Sequence, residues 1–219
     1  MAASKKAAAT RKRAGTPAAA KQRSIQKRAD ALDKTPAAKD KSKPVQAGTR
    51  KQPRNPMPGQ HLAKPGNEHA LAVAPRFQAP DYVGSGKLEG MAGIITGGDR
   101  GIGRAVAVVF GREGADVAVL HLDEPADAEL TRQHVENEGR RWIVIAGDVK
   151  DPRFCERAVR KAVKAFGRLD ILVNNAAFQQ HVDALEDLTD EHLQETLQTN
   201  IGGYFHMARA ALPHLGNGA

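Results

Sequence analysis

Cysteine is almost missing from this 219-residue chain, with Cys155 its single representative. An internal disulfide and a cysteine-based zinc site are therefore excluded, and one thiol fits a reducing compartment. Apolar runs are short as well. Nothing approaches the roughly 18 consecutive apolar residues of a membrane span, and the first thirty residues lack the apolar core of a secretory signal. A soluble, cytoplasmic protein without membrane contact is expected. Aromatics make up only 4% of the chain, and none occurs before Phe77, so the N-terminal region has nothing to stack on a nucleic-acid base. Acids are scarce in that same region. Residues 1–60 hold 16 Lys and Arg against 3 acids, a balance of +13, while residues 61–219 hold 17 against 22, a balance of −5.

The basic isoelectric point thus belongs to the tail. Ile25 and Leu32 are its only large aliphatic residues before Val45, too few to offset the entropy of ordering. Residues 1–60 are expected to be disordered, with residues 18–33 transiently helical. Lys5, Lys6, Arg11, Lys12 and Arg13 would condense on any polyanion by releasing counterions, so weak non-specific contact with nucleic acid stays open beside a plain solvated extension. Residues 61–87 form a Pro- and Gly-rich arm, in which Phe77, Tyr82 and Val83 are expected to anchor it along the domain that follows.

From residue 88 to 219, short apolar runs alternate with amphipathic stretches, the pattern of a parallel sheet with crossover helices. Strands are expected at 91–96, 117–122, 142–146 and 170–174, and helices at 102–112, 126–138 and 152–166. A last helix from 190 to about 215 should bury Leu193, Leu197, Ile201, Ala208, Leu212 and Leu215. Right-handed crossovers make this an α/β, Rossmann-type doubly wound parallel sheet in three layers.

Between the first strand and the first helix lies Thr96-Gly97-Gly98-Asp99-Arg100-Gly101-Ile102-Gly103. Gly97 can turn tightly, Gly101 lets a phosphate approach the backbone, and Gly103 lets the helix pack close to the sheet. A strand, a glycine loop and a helix N-terminus inside one βαβ unit offer amides to a dinucleotide. The last helix carries Asn200 on or beside its apolar face, where an amide needs partners. Eight histidines show no paired ligand spacing, so no metal site is expected. Cys155 reads as a packing residue.

The spacing Thr-Gly-x-x-x-Gly-x-Gly, together with Asn174-Asn175-Ala176-Ala177, resembles the short-chain dehydrogenase/reductase family. The Tyr-x-Gly-Ser-Gly-Lys-Leu from Tyr82 and the Gly147-Asp148-Val149 segment are similar to its bacterial glucose/ribitol dehydrogenase or general stress subgroup. The resemblance implies NAD or NADP as cofactor and hydride transfer between an alcohol or polyol and its carbonyl. It makes Gly97, Gly101, Ile102 and Gly103 the pyrophosphate loop and gives Asp148 the adenine amine, with the Val149 backbone beside it. By the same likeness Asn174 braces the sheet, Ala176 lines the ribose next to the nicotinamide, and Asn200 joins a proton relay.

For Asp148 a turn or helix-cap carboxylate is the alternative, and for Asn200 a buried structural amide. Cofactor choice is divided: Asp123 would select NAD by binding the ribose, or would merely cap the next helix, whereas Arg100 stands where an NADP-type arginine stands. The family's Ser and Tyr-x-x-x-Lys are not found, since Tyr82 is followed at the fourth place by Gly86 and Tyr204 by Ala208. The chain is expected to be C-terminally truncated and, as it stands, to bind nucleotide without turnover; a non-catalytic dinucleotide-binding remnant is the alternative. Family members form homo-oligomers, an expectation weakened here by the missing segments.

Overall fold

The computed structural model describes residues 16–32, 56–60, 62–64 and 68–219. Its centre is a parallel sheet of β1 (Ala92–Thr96), β2 (Asp116–His121), β3 (Trp142–Ala146) and β4 (Ile171–Val173) in the order β3-β2-β1-β4. β1 and β2 are buried along their whole length. A strand covered on both faces has no solvent side to alternate toward, which is why both read as nearly continuous apolar runs. The isolated parallel bridge from Leu169 to Leu215 brings residue 215 beside the start of β4.

The helices cover the two faces separately. α2 (Gly101–Arg112) and α3 (Pro125–Asn137) close one face, where Ala107 and Val135 meet Ile95, Val117 and Val119. α4 (Pro152–Phe166) and the last helical segment close the other, where Ala158, Val159, Ala162, Met207 and Ala211 meet Ile94, Ala118 and Leu120. In α4 the Asp151 carboxylate caps the Arg153 amide at 2.9 Å, Pro152 presets the first turn, and Gly167 ends the helix at φ 84°. Trp142, the only tryptophan, opens β3 half-buried, and its indole nitrogen makes no hydrogen bond.

Two expectations fail here. Residues 17–32, expected as a transient helix in a disordered tail, form a packed helix, α1 (Pro17–Leu32), with Ala19, Ile25 and Ala29 buried. The partners lie far along the chain: Lys21 Nζ stands 3.2 Å from Glu195, Arg28 pairs with Glu191, and the Gln26 side chain bonds both Leu62 O and Lys64 N at 2.6 Å. Of the rest of the expected disorder, residues 1–15 and 33–55 lie outside the described residues. The second failure concerns the last helix, which is divided into α5 (Asp190–Leu197), a π turn (Gln198–Gly202) and α6 (Gly203–Ala211). Most of its expected apolar stripe faces outward, with Ile201 65% and Leu212 71% exposed, while Leu215 packs against the core as expected. The buried face carries His192, Glu195, Thr199, Gly203, Met207 and Ala211, because it meets charged α1 residues at one end and the side chains of Val149 and α4 at the other.

The arm is anchored as expected by Phe77 and Tyr82, but Val83 is 84% exposed and anchors nothing. Its fastening is Glu113, buried after α2, which accepts from Tyr82 Oη, Ser85 N at 3.0 Å and Lys87 N at 2.9 Å. The Tyr82 hydroxyl and these amides pull the Glu113 carboxyl down to about 2. The lowered value means that Glu113 stabilises the arm fully above the ordinary Glu range and that this support is lost as pH falls toward 2. Glu113→Gln at neutral pH is expected to speed tryptic cleavage after Arg76 and Lys87, and an unchanged cleavage rate would show that the arm is held elsewhere.

Candidate functional site

The sheet order leaves a crevice at the C-terminal ends of β1 and β4, where successive crossovers leave in opposite directions. A cleft of about 480 Å³ opens there, lined by Gly97, Asp99, Arg100, Gly101, Ile102, His121, Glu124, Asp148, Val149, Ala176 and Thr199 among others. Gly97 turns at φ 62°, and a Cβ on Gly103 would lie 2.1 Å from the Gly97 carbonyl oxygen. Only glycine lets α2 start this close to the turn. Arg100 precedes α2 in extended conformation and gives the helix no side-chain cap, so the head of α2 keeps backbone donors for other partners.

Arg100 does not stand alone. Its guanidinium lies 3.1 Å from Asp99 and 3.2 Å from Glu124. Burial pushes both the Asp99 and the Glu124 carboxyl up, against the pull of Arg100. His121 lies beside them with its own pKa pushed down by burial, and its Nδ1 accepts from the Glu124 amide at 3.0 Å. The acid that lines the cleft after β2 is thus Glu124. Asp123 is not in the lining, and neither expected role is seen for it: its carboxylate accepts from the Thr16 amide at 3.1 Å, and the cap position of α3 belongs to Glu124.

Asp148 lines the cleft after β3 and accepts from the Lys150 amide at 2.9 Å, so it shapes a turn while the helix cap falls to Asp151. Val149 is buried next to it, and a Cβ on Gly203 would come 2.7 Å from its side chain. The brace between the β1 and β4 ends is Asn175 rather than Asn174. The Asn175 amide group donates to Thr96 O at 3.1 Å and Gly97 O at 3.0 Å, while the Asn174 side-chain oxygen is buried without a hydrogen-bond partner. The alternation along a strand end sends neighbouring side chains to opposite sides, which two adjacent asparagines leave unresolved in sequence.

Asn200 sits within the π turn and clasps the backbone of Phe178, accepting from its N–H at 2.8 Å and donating to its carbonyl at 2.9 Å. It holds the loop after β4 without lining the cleft. Thr199, its neighbour, does line it, and its hydroxyl is buried with no partner. An orphaned donor, a cradle that tolerates no Cβ and a helix head fit an elongated polar ligand carrying phosphate. Cys155 takes no part: it is fully buried and burial pushes its thiol up to about 11. No group of His, Cys, Asp or Glu that could hold a metal occurs among the described residues, and no helix there is long and apolar enough to cross a membrane.

Sequence reasoning missed one side of the cleft altogether. Gln22 of α1 and Leu62, Glu68, Leu71 and Pro75 of the arm line it opposite the strand ends. Long-range pairing of this kind leaves no periodic signal.

The short chain dehydrogenase family model matches residues 92–219. An uncharacterized oxidoreductase of Bacillus subtilis, YhdF, is 51% identical over 155 residues, covering 71% of this chain and 54% of its own. General stress protein 39 of the same organism is 44% identical over 164 residues, covering 74% and 57%. A short chain dehydrogenase from Burkholderia cenocepacia in complex with NADP superposes with a TM-score of 0.58 at 39% identity, over 61% of this chain and 54% of that one. One from Mycobacterium paratuberculosis bound to NAD gives 0.56 at 33%, over 59% and 52%. The chain spans about half the length of the relatives it matches.

Proposed function

This chain belongs to the short-chain dehydrogenase family, and from that premise we propose that its cleft holds NAD or NADP for hydride transfer between an alcohol or polyol and the corresponding carbonyl. The observation that carries the proposal is the glycine loop Gly97 to Gly103 at the β1/β4 crevice, with Asp148, Val149 and Ala176 along the same cleft. When bound, the dinucleotide supplies the hydride donor or acceptor. The chain's own residues bind and orient: the head of α2 with Gly101, Ile102 and Gly103 takes the diphosphate, and Asp148 takes the adenine amine beside Val149. Ala176 borders the ribose, and Asn200 acts through Phe178 on the loop that follows β4.

Arg100 is shared between two carboxyl groups, and Glu124 takes the ribose end in place of Asp123. That arrangement favours a ribose diol over a 2′-phosphate, because an added dianion would meet Asp99 and Glu124 together with the arginine. The proposal for these 219 residues is dinucleotide binding in a cytoplasmic setting. Tail-mediated nucleic-acid binding is not favoured in α1, where Lys21 and Arg28 already face Glu195 and Glu191.

The test is equilibrium titration of the full chain with NADH and with NADPH, read by nicotinamide fluorescence. Saturable binding with NADH the tighter ligand is expected. No saturable binding of either would overturn the reading, and tighter NADPH would overturn the assignment of Glu124.

A further inference from the structure

The family match begins at residue 92, yet five cleft-lining residues, Gln22, Leu62, Glu68, Leu71 and Pro75, come from before it. We infer that the N-terminal segment is a built wall of the dinucleotide site, and that Glu68 is the positioning residue that fixes its glycine loop; the inference rests on the dinucleotide reading above.

The wall is fastened at both ends of the cleft. At the glycine loop, one Glu68 carboxylate oxygen accepts from the Gly101 amide and the other pairs with Arg104, while the Glu68 amide donates to Asp127 at 3.0 Å. The Phe77 ring covers the Arg104 guanidinium at 4.9 Å. At the far end, the Gln22 amide reaches Glu195 at 3.4 Å and Lys21 stands 3.2 Å from it. Lys150 pairs with the same carboxylate and lies 3.5 Å from Asp148. Burial pushes the Glu195 carboxyl up, but Lys150, Lys21 and Gln22 outweigh it and hold the group below its ordinary value. Between the two ends, Gln26 and Arg23 join α1 to residues 62 and 64. α1 is thereby tied to the described part of the arm at residues 62 and 64.

The charge balance decides between a wall and a displaceable plug. A bare carboxylate on an amide at the head of α2 would compete with a diphosphate for the same positive end. Glu68 is not bare: its side chain is 6% exposed and pairs with Arg104, itself 2% exposed, whose charge it shares with Asp127. The pair satisfies one orphan donor of α2 and sets the loop's angle, leaving the amides of Ile102 and Gly103 for the ligand. Glu68 thus acts through Gly101, without itself meeting the phosphates.

Hydrogen exchange of the full chain with and without saturating NADH tests the wall. Slower exchange is expected across residues 17–32 and 68–77 as well as 97–103. Protection confined to residues after 92, or faster exchange in 68–77, would overturn the wall. Glu68→Gln keeps the side-chain shape while removing the charge that holds Arg104, and should weaken NADH binding about tenfold. Adenosine, which lacks the diphosphate, should bind this variant as it binds the wild type. Equal losses for NADH and adenosine, or none, would overturn the positioning role. Failure of the wild type to bind NADH at all would instead sink the dinucleotide reading and this inference with it.

Discussion

Gly103→Ala should abolish saturable dinucleotide binding and destabilise the folded chain. The added methyl would lie 2.1 Å from the Gly97 carbonyl oxygen and 2.7 Å from the Asn175 amide nitrogen, both fixed by the brace between β1 and β4. Neither is the loose end of a flexible side chain, so either α2 or the turn has to move. Alanine in a helix gains about 1 kcal/mol over glycine, against an overpacking cost of about 1–3 kcal/mol, and the close backbone contact puts this site at the upper end. Nicotinamide fluorescence and urea unfolding measure the two effects. Retained affinity would mean that the loop does not hold the diphosphate.

The second large effect is expected at Arg104. Its Nε donates to Asp99 O at 3.1 Å and to Thr131 Oγ1 at 2.9 Å, its Nη2 donates to Asp99 O at 2.8 Å, and Asp127 and Glu68 complete its partners. The residue is 1% exposed. Arg104→Met fills similar space but leaves two buried carboxylates without their counter-charge, a loss of about 3–5 kcal/mol by analogy with other broken buried pairs. Against a typical total of about 5–15 kcal/mol that is a large fraction. Adding Glu68→Gln to Arg104→Met should recover part of the loss, since one of the stranded charges is then gone, and urea unfolding of the single and double variants reads the coupling. Strictly additive losses would mean that the pair is not coupled.

What the sequence disclosed, and what it hid, divides along chain distance. Strands and helices of the sheet follow from local pattern: the expected 142–146 and 152–166 coincide with β3 and α4, and the other boundaries move by a residue or two. The glycine loop is equally local, because its function needs particular backbone freedom at fixed spacing. The helical tendency of α1 was legible, but its docking was hidden because its partners are residues such as Glu195, 173 positions away from Gln22. Glu68 was hidden for the same reason, since nothing near it in sequence announces Gly101 and Arg104. The outward stripe of α5 and α6 shows the opposite error: apolar spacing was legible, but the face chosen for burial was set by α1, α4 and Val149 rather than by hydrophobicity.

The lone indole at the start of β3 has a practical consequence. The cleft opens at the other end of the sheet, and a five-residue strand rising about 3.3 Å per residue separates the two by about 15 Å. Trp142 emits where a reduced nicotinamide absorbs, and at that separation excitation passes from one to the other without contact. The protein therefore carries its own optical donor. A ligand seated in the crevice would dim Trp142 by energy transfer, while a ligand held elsewhere on the surface would dim it according to a different distance.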